Sequence, residues 1–462
     1  MRGLRWIASA ALAGAAALTL SGCFQYVRGM GRVIPGLAET DTLELNLVLI
    51  GDAGLPAPGG EPVLRALRDE ISKHSKNTFV VFLGDNIYPR GMVVDSSAAE
   101  RRENERIINA QMDPLLETGV SGIMVPGNHD WAAATESGLE VLRTQERYVN
   151  RRGRGIVKML PNDGCPGPVS LDFGNYLRLI VLDTQWWLQA PYPRPHGTTA
   201  TRCRARTENE VLDSLRSDLV NAEGRRTVVV AHHPLVSGGQ HGGYFDWPTY
   251  LFPFHPWARQ QGVFAKQDVT GAQYRIMREA FSRAFEGAAT PLVYAAGHEH
   301  NLQVMRLPPA KYLVVSGAGI YHHSTQSRAL RGTLYARPAS GWVEMAFLRD
   351  GRVRMSVKVV DAQGQAKEDF SAWLDVPPLV PVHEENPQAR PSAPVAPGAP
   401  SDPIRPPPPP APEPVPPAGT RPAAPPPAAA PSAAPATSAP PAQAPPPAPA
   451  PPPAPAPPPG AR

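Results

Sequence analysis

The sequence lacks a basic stripe. Of the formal net charge of +4 over 462 residues, Arg2 and Arg5 in an acid-free first segment supply +2, and from Pro381 onward four arginines balance four acids. Only +2 is left for the chain between them, so the basic pI is no argument for a nucleic-acid partner, and none is expected. Large apolar side chains are lacking beyond residue 380, where 35 of the 58 prolines fall within 82 residues. Such a segment has few backbone donors and almost nothing to bury, so it cannot form a packed core. Residues 381–462 are therefore read as a Pro/Ala-rich disordered tail, and the foldable part ends near residue 380. No internal repeat stands out. The apolar run Ile7 to Leu20 is too short and too Ala-rich for a stable membrane span.

That run has another use. Arg2 and Arg5 precede it, and it closes on Leu20-Ser21-Gly22-Cys23, which resembles the bacterial lipobox, whose cysteine becomes the lipid-modified first residue after cleavage. Residues 1–23 are expected to be a lipoprotein signal, 24–43 a linker, and Cys23 the membrane anchor; an ordinary secretory signal is the plainer alternative. Phe24 is not the aspartate linked to inner-membrane retention, so an outer-membrane location facing the periplasm is expected. The remaining cysteines, Cys165 and Cys203, make an even pair, which in an oxidising compartment suggests a disulfide. Two unpaired thiols remain the alternative, since proximity cannot be read from one sequence.

Between residues 44 and 380, apolar runs of strand length alternate with helical patterns. Leu45–Ile50, Phe79–Leu83, Gly122–Val125, Thr227–Ala231, Leu292–Ala295, Tyr312–Ser316, Trp342–Phe347 and Val353–Val360 read as strands. Val169–Phe173 and Tyr176–Leu182 read as a hairpin around Gly174-Asn175. Pro62–His74, Ala98–Glu117, Thr207–Asn221 and Ala272–Glu286 read as helices. The mixture predicts an α/β fold, a two-sheet β-sandwich flanked by helices.

Five strand ends deliver polar groups: Gly51-Asp52-Ala53-Gly54, Gly84-Asp85-Asn86-Ile87-Tyr88, Gly127-Asn128-His129-Asp130, His232-His233-Pro234 and Gly297-His298-Glu299-His300. Four carry a glycine, expected to let the backbone turn tightly. Gathering carboxylates and imidazoles at one sheet edge is costly unless cations neutralise them, and these ligand types suit Fe, Zn or Mn. Singly, each has a duller reading: Asp52 as a helix cap, Tyr88 as a packing residue.

As an ordered set, GDxG, GDxxY, GNHD, HxP and GHxH resemble the calcineurin-like metallophosphoesterases, and Tyr88 narrows the resemblance to the purple acid phosphatases. Gly84–Gly91, Gly297–Gln303 and Ser316–Gly319 are similar to the small, tartrate-resistant branch, across roughly residues 45–330. The resemblance implies that Asp52, Tyr88 and His300 hold a ferric ion, that Asn128, His232 and His298 hold a divalent ion (Fe, Zn or Mn), and that Asp85 bridges them. It also implies hydrolysis of phosphomonoesters by a metal-activated water, the alternatives being phosphodiester or lipid-phosphate hydrolysis on the same metals, or a non-catalytic surface lipoprotein that acts through its Pro-rich tail. A phenolate is a hard anionic donor, which independently suits Tyr88 to Fe(III). His129 would face the substrate, oriented by Asp130. His233 is the alternative ligand to His232, and Glu299 is expected to point away from the metals.

Ser237 to Gln267 is a glycine-rich, aromatic insertion of the kind that shapes substrate choice. His241, nine residues after His232, resembles the family histidine that contacts substrate. The insertion's aromatics could equally form a satellite cluster. His322 and His323 could line the same mouth or lie in solvent. Lysine and arginine are scarce beside the five motifs, so metals rather than a basic patch should bind phosphate. The tail is expected to be a polyproline spacer that contacts the cell wall or an unknown partner, or nothing at all.

Overall fold

The structure is a computed structural model, and it describes residues 32–94, 96–244 and 266–375. All of them belong to one unit, Met1–Asn386. The lipobox with Cys23, the aromatics of the insertion from Phe245 to Phe264, and the tail lie outside the described residues. Among the described residues no helix is long and apolar enough to cross a membrane.

Among the described residues, two seven-stranded sheets make the frame. The first runs β14-β13-β12-β1-β2-β3-β4, with β1 Leu43–Ile50, β2 Thr78–Phe82, β3 Ser121–Met124, β4 Val157–Met159, β12 Gly341–Leu348, β13 Val353–Val360 and β14 Ala366–Trp373. The second runs β11-β9-β10-β8-β7-β6-β5, with β5 Val169–Phe173, β6 Leu177–Val181, β7 Arg226–Val230, β8 Val293–Ala296, β9 Leu302–Met305, β10 Tyr312–Ser316 and β11 Thr333–Arg337. In the first sheet β1 to β4 are mutually parallel, and in the second so are β6, β7, β8 and β10.

Alternation along each strand explains the layering. Leu45, Leu47 and Leu49 of β1 enter a core shared with Val228 and Val230 of β7 on the facing sheet. Val48 and Ile50 point the other way, onto the helices α1 (Pro62–Ile71), α2 (Ala98–Thr118) and α3 (Gly138–Gly153). On the far side, Val229 and Ala231 meet α5 (Glu208–Val220) and α6 (Ala272–Ala284), with the one-turn α4 (Gln185–Leu188) beside them. Central strands covered on both faces read as unbroken apolar runs, which is why they were legible.

Caps set the helix ends. Glu61 accepts from Val63 N and Pro62 opens α1; Ser97 Oγ accepts from Glu100 N at α2, which stops at Gly119 in the left-handed region. Thr207 caps α5 in the same way as Ser97 caps α2. Cys165 and Cys203 are joined in a disulfide, so of the two readings the bonded one holds.

Candidate metal centre

All five motif ends lie at the carboxyl edges of parallel strands, three from the first sheet and two from the second. At this seam the glycines act mainly by being small. A Cβ on Gly297 would meet Asp52 Oδ2 at 2.6 Å and Leu83 O at 2.9 Å, and one on Gly51 would meet Gly297 Cα at 3.2 Å. Of the four, only Gly84 needs glycine's backbone freedom, at φ +93. The expected tight turns are instead made by the polar residues themselves: φ is 56 at Asp52, 54 at Asp85 and 69 at His298. Left-handed backbone at non-glycine residues is a cost that the surrounding packing must hold in place.

Two donor clusters form there. In one, Tyr88 Oη lies 2.9 Å from Asp52 Oδ1 and 2.9 Å from His300 Nε2, and His300 Nε2 lies 3.4 Å from Asp52 Oδ1. In the other, Asn128 Oδ1 lies 3.0 Å from His232 Nε2 and 3.1 Å from His298 Nδ1, and those two nitrogens are 3.2 Å apart. Asp85 Oδ2 is 3.4 Å from His232 Nε2, and the donor atoms of Asp52, Asp85 and His232 all lie within 4.8 Å of one another. Asp85 therefore stands between the clusters.

Four of the donors are aimed by a second contact. Asp52 Oδ2 accepts from His298 N at 2.8 Å across the seam, and Asp85 Oδ1 accepts from His129 N at 2.9 Å, so each carboxylate keeps one oxygen for the centre. His232 Nδ1 donates to Leu83 O and His298 Nε2 to Gln267 O, both at 2.8 Å. That fixes which ring nitrogen is the acceptor facing inward, the usual device for orienting metal-binding imidazoles. His233, the alternative to His232, is used up elsewhere: Nδ1 meets Thr184 Oγ1 and Nε2 meets Gln267 Oε1, each at 2.8 Å.

The electrostatics fit cations. Burial, then the carboxylates of Asp52 and Asp85, push the Tyr88 phenol well above its ordinary range. A phenol held against two buried carboxylates ionises only if positive charge is placed among them. Burial would raise Asp85, but the His232 and His129 imidazoles outweigh it and hold the carboxyl well below the usual range. Burial lowers His232, and Asp85 more than reverses this, lifting it to about 9. Burial followed by the His241, His233 and His232 imidazoles pushes His298 far down, leaving it neutral, as a ligand must be. The donor set is thus suited to two metal ions.

A calcineurin-like phosphoesterase family model matches residues 45–302, more than half of the chain. The chain belongs to the calcineurin-like phosphoesterase family. By family, then, it is a metal-dependent phosphoester hydrolase. It is 23% identical over 329 residues to purple acid phosphatase 4 of Arabidopsis thaliana, covering 69% of this chain and 78% of that one. Among solved structures it is similar to the Plasmodium protein described as GAP50, the anchor in the inner membrane complex, with a TM-score of 0.47, 14% identity, and coverage of 72% of this chain and 90% of that one. At that score the likeness adds nothing to the assignment.

Among the described residues, three further imidazoles stand around the phosphoesterase centre. His129 packs on Tyr88 (ring centroids 4.4 Å), His241 on His298 (4.0 Å) and His323 on His300 (4.5 Å). His322 is exposed and packs on Tyr321, so the two neighbouring histidines part company. The expectation that Asp130 orients His129 is corrected: His129 Nδ1 meets Pro89 O at 2.6 Å. Asp130 is fully buried and accepts from Gly127 N, Asn86 N, Asn86 Nδ2 and Gln145 Nε2, so it braces the loop that carries Asn128. Glu299 does point away from the donors, and it accepts from His241 N. Sequence reasoning missed Pro89 O, Leu83 O and Gln267 O, because a backbone carbonyl leaves no mark in the sequence. It also missed Asp268, whose Oδ1 meets His241 Nδ1 at 2.8 Å.

Proposed function

We propose that the protein is a phosphomonoesterase of the purple acid phosphatase type, with Fe(III) held by Asp52, Tyr88 and His300, a divalent Fe, Zn or Mn ion held by Asn128, His232 and His298, and Asp85 shared. The observation that carries the reading is Asp85 standing between an oxygen-rich cluster containing a phenol and a cluster of an amide and two imidazoles. The bound ions would polarise the phosphoryl oxygens and acidify a water to make the nucleophile. The chain's own part is to present that pair and to surround the phosphoryl group with imidazoles. His129, anchored at Pro89 O and partly exposed, keeps Nε2 on the open side of Asp85, 3.8 Å from Oδ2. From there it stabilises phosphoryl charge or protonates the leaving alcohol. His241, on the opposite flank against His298, binds the substrate. The lipobox reading makes the enzyme a lipoprotein anchored through Cys23 in the bacterial envelope, in the outer membrane facing the periplasm, and the Pro/Ala-rich tail is its spacer.

The test is to purify the full chain, measure its metal content and visible spectrum, and assay mono- and diesters side by side. Two metals per chain, a tyrosinate-to-iron absorption band and preference for monoesters are expected. A colourless protein with stoichiometric iron would overturn the Tyr88 assignment, and preference for diesters would overturn the substrate class. Labelling with a fatty acid that disappears in Cys23→Ser tests the anchor.

A further inference from the structure

Two consecutive residues, Gln267 and Asp268, hold three imidazoles that pack together on the His298 side of the centre. The Gln267 carbonyl receives His298 Nε2 at 2.8 Å, and its side-chain Oε1 takes up His233 Nε2 at 2.8 Å. The Asp268 carboxylate meets His241 Nδ1 at 2.8 Å. Asp268 is 1% exposed and His241 is partly exposed, so a buried acid backs a ring that reaches solvent. The His241 ring lies 4.0 Å from that of His298, centroid to centroid and 31° from parallel, so the two stacked rings are tied at neighbouring points of one strand of backbone. The backbone end of His241 is tied as well, because its N–H donates to the buried carboxylate of Glu299. His129 offers a contrast: its Nδ1 rests on the neutral Pro89 carbonyl.

Resting on the phosphomonoesterase reading, we infer that Asp268 is a positioning residue for His241, and that Gln267 and Asp268 together fix the ring orientation of a metal-binding and a substrate-facing histidine from one short segment. A carboxylate on Nδ1 places the hydrogen there and leaves Nε2 as the nitrogen offered to the phosphoryl group. Asp268 touches neither substrate nor metal in this scheme and acts only through the ring it holds. The sequence pattern marks His241 by its distance from His232, but nothing marks Asp268, which lies 27 residues further on.

The experiment is a double-mutant cycle in the full-length protein with Asp268→Asn, His241→Ala and both together. Asp268→Asn should lower kcat/KM for an aryl phosphate monoester by about 10- to 100-fold, the usual cost of losing an outer hydrogen-bond partner. Both metals and the visible band should remain. Once His241 is gone, adding Asp268→Asn should cost nothing more. Losses that multiply, or loss of a metal, would overturn the positioning role. A readout without turnover keeps this distinct from the enzymatic reading: ¹⁵N NMR of the zinc-loaded protein should show His241 protonated at Nδ1 in the wild type and a tautomer mixture in Asp268→Asn. An unchanged tautomer overturns the inference even in an active enzyme. The expected shift supports it even if no phosphomonoester is turned over.

Discussion

The two donor clusters differ in kind. Asp52 and Tyr88 bring two oxygens that can carry negative charge, and with His300 they form a cluster whose aromatic members are only half-buried. Asn128, His232 and His298 offer an amide and two imidazoles, which bind a metal uncharged, and all three are buried. Asp85 stands between them, so the contrast comes from the three other residues of each cluster. Anionic oxygens favour a small, highly charged cation, whereas an amide and two imidazoles favour a divalent one. Because only the first cluster carries the phenol, colour should report on it alone.

The largest effect should come from erasing the contrast altogether. Asp85→Ala removes the carboxylate common to both clusters; metal content and turnover should both collapse, far beyond the about 10- to 100-fold of an outer partner. Elemental analysis showing two metals retained would mean that the centre lies elsewhere. Next comes His129→Ala, with a rate loss of about 10²- to 10⁴-fold while both metals and the absorption band persist. A loss largest for alkyl phosphates would identify proton donation, an equal loss for aryl and alkyl esters charge stabilisation, and a missing metal would refute its place outside the donor set. Tyr88→Phe sharpens the comparison directly. The band should vanish and the rate fall, by less than in His129→Ala, while the divalent ion stays; loss of that ion instead would show that the clusters are not separable.

The smallest effect lies outside the centre. Burial lifts Asp183 to about 7, against the hydrogen bonds it accepts from Trp131 Nε1 and Trp186 N. Between about pH 4 and pH 7 the folded chain therefore keeps a proton that the unfolded chain releases, so stability declines as pH rises through that window. Asp183→Asn should flatten the decline, seen as a drop in melting temperature between pH 5 and 8 that is several degrees smaller than in the wild type. The variant starts lower, because an amide offers one oxygen where the carboxylate offers two, so the slope is the measurement. An unchanged slope would rule Asp183 out.

What could be read from the sequence follows from burial. Runs such as Leu45–Ile50 are covered on both faces and signal themselves. The polar edge strand Ala366–Trp373, the three-residue Val157–Met159 and the arginine-rich helix Gly138–Gly153 carry no such signal and were missed. Leu302–Met305 and Thr333–Arg337 were missed as well, being short. The residues expected at the centre come together because each follows a strand. The supports were illegible where they are carbonyls, and Asp130 was misread because its partners, Asn86 and Gln145, are distant in sequence.

The seam between the sheets has a further consequence. Asp52, Asp85, Tyr88 and Asn128 come from the first 130 residues, whereas His232, His298 and His300 come from beyond residue 230. A chain only part-way through folding thus holds an incomplete chelator. Half a set binds a metal weakly, because ligands not yet fixed in one geometry must each lose their own freedom on binding. Tight capture becomes possible only once both sheets have docked, and an ion held there ties the carboxyl edges of one sheet to those of the other.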